Sequence, residues 1–380
     1  MRVFVSAGEV SGDMHAASVI RALRMTVNID ETYGIAGPCM REAGCDTLVE
    51  MNELNVMGIG DVLRALPRIY RIRRRVLAEL EAKRPDVAIL VDFPGFHMNL
   101  GIRLRRMGIP VLHYIAPKLW AWGSWRIRRL KKSQDRLASI LPFEPAWFAE
   151  RGITARYVGN PSVAAIHHQE GERSTFRSAL ALSDDVPLLS ILPGSRPGEL
   201  DRHLPLLLEA WKQIRQRMPD ARCVVPVAPG VSMEQLQPLA DAGAVLLDRM
   251  AEDYALHTDA AIAVSGTATL ELALWDIPTV LIYRASPFTV FLARRLVRLN
   301  CIGLANIIMD DTPVMPELIQ SDATVANITD HAVALLSGGM KAANQHRAFC
   351  ELRQRLGEIN PAREVAAMAV EMCTGDRVSN

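Results

Sequence analysis

The 380 residues carry 43 Lys and Arg against 42 Asp and Glu, so no global field for nucleic acid exists and any basic partner surface must be local. Apolar residues make up 49%, ample for buried cores in about two or three domains. The six cysteines (Cys39, Cys45, Cys223, Cys301, Cys350, Cys373) contain no CxxC pair and read as reduced core residues, not a disulfide frame or a zinc site.

No run of about 18 residues is both apolar and free of charge, and MRVFVSAGE is interrupted too soon for a signal peptide. The expectation is a soluble cytoplasmic chain. Val3 to Val5 predicts a strand, followed by the loop AGEVSGD and a helix from Met14 to about Arg24. Gly8 and Gly12 permit close backbone approach, but the spacing is not GxGxxG; the loop is either a tight turn or a ligand contact. From about Asp61 to Lys83 the pattern is helical, with Pro67 as a kink or boundary. Arg64, Arg68, Arg71, Arg73, Arg74 and Arg75 alternate there with Leu63, Leu66, Ile69, Ile72, Val76 and Leu80, which is either a basic face for an anionic surface or a solvated one.

Val87 to Val91 is a clear strand, and Asp92 stands at its carboxyl end, the edge at which open α/β sheets bind ligands. Asp92 either caps the next turn or projects as a general base. After the strand Val111 to Ile115, Trp120, Trp122 and Trp125 precede Arg126, Arg128, Arg129, Lys131 and Lys132. This suits a membrane interface, and equally a buried Trp pair beside an exposed basic helix. Leu137 to Leu141 and Arg156 to Val158 end the first half; Ser162 to Val186, polar and weakly periodic, reads as the inter-domain connection.

The second half restarts with the strand Leu188 to Leu192, the turn from Pro193 to Glu199, and a helix to about Met218. Arg196 in that turn is placed to meet a diphosphate with its fork of donors. Strands Arg222 to Val227, Ala244 to Leu247, Ala260 to Val264 and Thr279 to Tyr283 follow, then a second basic element, Phe288 to Leu299, and a helical tail from about Ala323. In AIAVSGTATLE an apolar strand breaks at Ser265-Gly266-Thr267 and enters a helix, presenting free N–H groups and a positive dipole end to phosphate. Glu271, one turn on, is placed either to accept hydrogen bonds from a ribose or, with Thr267 as N-cap, to act as a first-turn acid favoured by the helix dipole. Alternating strands and helices in both halves predict parallel sheets covered on both faces. HExxH, Walker and GxSxG motifs are absent, and the nine histidines form no metal-ligand pattern. The residues alone thus predict a two-domain enzyme of nucleotide sugars or nucleotide phosphates, needing neither metal nor cofactor.

Nine motifs in order, AGEVSGD, IAGPCM, VMGIGDVL, VDFPGF, HYIAPKLWAW, LPFE, LPGSRPGE, SGTATLE and MPEL, resemble the lipid-A-disaccharide synthases over nearly the whole chain. The resemblance implies an α/β fold of GT-B architecture, two Rossmann-like parallel-sheet domains facing a cleft. It implies an acceptor- and membrane-facing domain over 1–165, a linker over 166–186, a UDP-sugar-binding domain over 187–345, and C-terminal helices over 346–380 packing back on the first domain. The implied reaction joins UDP-2,3-diacylglucosamine to 2,3-diacylglucosamine 1-phosphate (lipid X) with inversion, giving the β(1→6) disaccharide 1-phosphate and UDP.

By position, Asp92 matches the family's base; Gly194, Ser195, Arg196, Ser265, Gly266, Thr267 and Glu271 fall on the UDP side; Asn306 and Glu317 match donor-side positions. Glu9, Ser11, Gly12, Asp13, Met57 and Gly58 lie in the acceptor-side loops, and Arg71, Arg74, Arg75, Trp120 and Trp122 are the membrane-facing candidates. Peripheral attachment to the cytoplasmic face of the inner membrane and a homodimer are implied as well. The chain departs from the family pattern at Gly95, His97, Asn160 and Ala305, where Asp, Asn, His and Pro are usual. Two rivals are a UDP-N-acetylglucosamine 2-epimerase-like enzyme and a non-catalytic binder of anionic lipid.

Overall fold

The computed structural model describes residues 1–54, 59–165, 173–228, 230–247, 257–264, 266–286, 290, 295 and 299–375, with side chains at these positions except 59–66, 165, 173–175, 197 and 267. The chain divides into two compact units, Met1–Ala164 with Glu358–Asn380, and Ala165–Gly357.

The first unit is built on β1 (Arg2–Ala7), β2 (Glu31–Ala36), β3 (Asp46–Glu50), β4 (Val87–Val91), β5 (Val111–Tyr114), β6 (Arg136–Ser139) and β7 (Ala155–Tyr157). They form one parallel sheet in the order β3-β2-β1-β4-β5-β6-β7. The two-residue period sorts its side chains by face. Val3, Val5, Val87, Ile89 and Val91 pack with the helices Val10–Thr26 and Pro361–Thr374. Phe4, Ala88 and Leu90 pack on the opposite face, with Ile72, Val76 and Leu80 of the helix Ile59–Ala82 and with Phe96, Leu100 and Leu104 of the helix Pro94–Arg106. Pro67 sits inside a continuous helix.

The second unit carries β8 (Leu188–Leu192), β9 (Arg222–Pro226), β10 (Val245–Leu247), β11 (Ala260–Val264), β12 (Thr279–Tyr283) and β13 (Glu317–Ile319), parallel and in the order β10-β9-β8-β11-β12-β13. One face buries Leu189, Ile191 and Ile262 against Trp211 and Ile214 of the helix Pro197–Arg217 and Ile328 and Leu335 of the helix Val325–Leu336. Within the stretch expected as a linker, Arg173–Ala179 is helical, and Arg177 is fully buried. Its guanidinium donates to the carbonyls of Ser183 (3.0 Å) and Val186 (2.7 Å) and to Asp259 Oδ2 (2.8 Å), which also accepts from the Leu188 backbone N–H. A buried cation held this way fastens the segment to β8. The helix Met340–Leu356 stays with the second unit, so the chain returns to the first after Gly357, not at residue 346.

Candidate active site

In each sheet the strand order reverses at one place, between β1 and β4 and between β8 and β11. Connections leave such a pair in opposite directions, opening a crevice beyond the carboxyl ends, where ligands bind in open α/β sheets. Asp92 immediately follows β4, and the turns after β8 and β11 hold the residues expected to grip UDP.

In the first unit Ala7 pairs with Val91, so the loops beginning at Gly8 and Asp92 are neighbours. Asp92 and Phe93 both adopt left-handed backbone, φ 50° and 48°, and Ile115 after β5 does so at φ 66°. Three such residues without glycine, one of them β-branched, store strain of about 1–3 kcal/mol each. The Asp92 N–H donates to the Tyr114 carbonyl at 2.8 Å. Burial, reinforced by the nearby Glu9 carboxylate, raises the Asp92 pKa above the ordinary aspartate range; the Phe93 backbone N–H and Lys118 act the other way. A desolvated carboxylate of raised pKa has the character of a general base. Gly8 is needed because the Phe93 ring crosses the end of β1: a Cβ there would lie 2.3 Å from it.

The acceptor-side candidates divide. Glu9 and Ser11 are exposed at the start of the helix Val10–Thr26, which has no side-chain cap, and Gly12 is buried beside Ala7 and Val91. Asp13 is turned inward. Its buried carboxylate accepts from the N–H groups of Gly37 (2.9 Å), Cys39 (2.9 Å) and Met40 (3.1 Å), capping the next short helix. Met57 and Gly58 lie outside the described residues.

In the second unit Leu192 pairs with Ala263, which sets the two turns side by side. Gly194 has φ 108°, and its neighbour's backbone is pinned where Ser195 N–H donates to Glu199 Oε2 at 3.1 Å. Arg196 is exposed at the start of the helix Pro197–Arg217, and Gly266 is exposed at the start of the helix Thr267–Leu274. Neither helix has a side-chain cap, so both present N–H donors and positive dipole ends beside one crevice. Ser265 and the Thr267 side chain lie outside the described residues. Glu271, half-buried one turn along, has its pKa raised by burial.

Asn306 and Glu317 come together, but on each other. Asn306 Nδ2 donates to Glu317 Oε1 (2.7 Å) and the Met315 carbonyl (2.9 Å), while its Oδ1 accepts from Met315 N–H (2.8 Å). Glu317 also accepts from the N–H groups of Ile302 (2.8 Å) and Gly303 (2.9 Å). Both side chains therefore brace the loop before β13, a role that the motif position did not disclose.

The lipid-A-disaccharide synthetase family model matches residues 3–370. The chain belongs to that family. A lipid-A-disaccharide synthase of Myxococcus xanthus is 36% identical over 380 residues, 99% of either chain. Among solved structures, the UDP-GlcNAc 2-epimerase of Neisseria meningitidis bound to UDP-GlcNAc is similar at TM-score 0.62 and 13% identity, covering 99% of this chain and 100% of that one. The calicheamicin glycosyltransferase follows at TM-score 0.58 and 14% identity, covering 100% and 99%. The resemblance carried by the nine motifs is borne out, as are the two parallel-sheet domains and a sugar-nucleotide-dependent glycosyltransferase-type enzyme.

This member of the lipid-A-disaccharide synthetase family carries exposed basic and aromatic residues at the sites expected to face a membrane. Arg71, Arg74 and Arg75 are exposed near Tyr70, whose ring lies under the Arg73 guanidinium at 5.1 Å. Ile72, Val76 and Leu80 of the same helix are turned into the core, which leaves its charges but not this apolar stripe for an outside surface. Trp122 is 47% and Trp125 65% exposed, with Arg126 stacked 4.4 Å over Trp122. Trp120 is half-buried: its indole N–H donates to Glu144 at 2.9 Å and its ring meets Phe143 edge-on, contacts that support the loop. Burial raises the Glu144 pKa to about 7. Phe288 to Leu299 lies largely outside the described residues. Among those residues no helix is long and apolar enough to cross a membrane.

Proposed function

We propose that this chain transfers the 2,3-diacylglucosaminyl group from UDP-2,3-diacylglucosamine to the 6-hydroxyl of 2,3-diacylglucosamine 1-phosphate. The observation that carries the proposal is Asp92 itself, a desolvated carboxylate at the switch point of the first sheet. In this reading Asp92 takes the 6-hydroxyl proton as that oxygen attacks the anomeric carbon, and the bond to the UDP oxygen breaks on the opposite face with inversion. Arg196 and the N–H groups at Gly266 and Thr267 receive the negative charge that gathers on the diphosphate. Glu271 accepts from the ribose hydroxyls.

The test is a discontinuous assay in detergent micelles that follows UDP and disaccharide phosphate together. Equal amounts of both support the proposal. UDP without disaccharide would mean hydrolysis or another acceptor, and turnover of water-soluble UDP-N-acetylglucosamine alone would favour an epimerase.

Both substrates carry acyl chains, which supports work at an anionic membrane surface through the exposed Arg and Trp residues. Each Arg near such a surface contributes about 1 kcal/mol. Replacing Arg71, Arg74 and Arg75 together by Gln is therefore expected to weaken sedimentation with phosphatidylglycerol liposomes about a hundred-fold at low salt, with a smaller difference at high salt. Unchanged sedimentation would return this helix to the role of a solvated face.

A further inference from the structure

The structure assigns His97 as the positioning residue that holds Asp92 in its left-handed turn, an inference resting on the reading of Asp92 as the base. His97 stands in the first turn of the helix Pro94–Arg106, fully buried. Its Nδ1 lies 2.7 Å from the Asp92 carbonyl oxygen and its Nε2 lies 2.8 Å from Ser6 Oγ. A carbonyl only accepts, so Nδ1 carries the hydrogen and donates it; Nε2 then accepts the Ser6 hydroxyl hydrogen. Burial, with His113 beside it, pulls the His97 pKa down to about 3, and the ring is neutral in this one tautomer at physiological pH.

The geometry explains why two successive strained residues persist. The Asp92 N–H is fixed by Tyr114 of β5, and its carbonyl by His97. Ser6, on β1, ties the imidazole to the neighbouring strand at the switch point. The Phe93 and Phe96 rings enclose the imidazole at centroid distances of 5.9 and 5.8 Å, so it has one seat. Without the Nδ1 donor the Asp92 carbonyl is left to the buried His113 ring, which also meets that backbone, and the turn loses the shorter bond that opposes relaxation. The Asp92 carboxylate would then swing from its place, and a displacement of about 1 Å is worth on the order of a hundred-fold in rate.

The test compares Asp92→Asn, His97→Leu, His97→Asn and Ser6→Ala in the full chain, reading disaccharide formation, UDP affinity by calorimetry and thermal unfolding. His97→Leu is expected to lower kcat about a hundred-fold with UDP affinity unchanged. Its acidic limb of kcat/KM should move to lower pH, because a carboxyl released to water titrates near about 3.9. Asn places an amide N–H where Nδ1 stands, so His97→Asn should return kcat to within about three-fold of the parent. Should the Leu variant not fold, Ser6→Ala carries the test, with about a five-fold loss of kcat and the limb displaced in the same direction. Parental kcat and pH profile in a folded His97→Leu, or in Ser6→Ala where the Leu variant does not fold, would overturn the assignment, and so would an Asn variant as slow as Leu with its acidic limb in place. If Asp92→Asn keeps its rate, the base reading fails and takes this one with it. A dead Asp92→Asn beside a fully active His97→Leu removes the positioning role alone.

Discussion

Asp92→Ala is expected to reduce kcat by about 10²- to 10⁴-fold, the range a positioned general base supplies, while UDP binds with parental affinity. The two effects separate because a base interacts chiefly in the transition state, whereas UDP is assigned to groups of the second unit. The pH profile of the parent adds a sign. Asp92 must be ionised to take the acceptor proton, and burial together with Glu9 raises its pKa. Activity should therefore fall on the acid side at a pH above the ordinary aspartate value of about 3.9, and that limb should vanish from any residual rate of the Ala variant. Disaccharide formation across pH, with calorimetry of UDP, reads both. Equal losses of kcat and UDP affinity would mean that Asp92 holds the nucleotide or the local fold, and not a proton.

Much of the fold was legible because central parallel strands are continuous apolar runs. β1, β4, β5, β8, β11 and β12 were all expected near their observed bounds. The missed strands are those whose sequences break the pattern: ETYGIA in β2 mixes Glu, Thr and Gly, β3 lies at a sheet edge with charged ends, and β13 spans three residues. Strand order is a long-range property, so the switch points that make Asp92 and Arg196 meaningful could be known only from pairing. The site divides in the same way. Asp92 was readable as a carboxylate ending an apolar strand. Ser6–His97 joins residues 91 positions apart, and no local spacing announces it. Asp13, Asn306 and Glu317 mark the converse limit, since local sequence does not disclose the backbone groups that their side chains meet.

Arg196→Ala is expected to weaken UDP binding about ten- to a hundred-fold, as loss of a hydrogen bond to a charged group is worth about 1.5–3 kcal/mol. The turn that carries Arg196 is shaped independently of the guanidinium. Gly194 takes up φ 108°, a Cβ there would fall 2.8 Å from Glu199 Oε2, and the Ser195 N–H is held by that same carboxylate. His203 secures the turn from below: its Nδ1–H donates to the Glu199 carbonyl at 2.7 Å while its Nε2 accepts from Arg284 N–H at 2.8 Å, linking the helix to the end of β12. The substitution should then leave thermal unfolding near the parent, because an exposed side chain is removed from a braced loop. Arg196→Lys should recover only part of the affinity, since an ammonium offers a point charge where the guanidinium offers a planar fork. Calorimetry with UDP at two salt concentrations distinguishes the roles, as a diphosphate contact weakens with salt. Unchanged affinity in Arg196→Ala would leave the diphosphate to the N–H groups at Gly266 and Thr267, and Arg196 would be a solvated residue that happens to begin a helix.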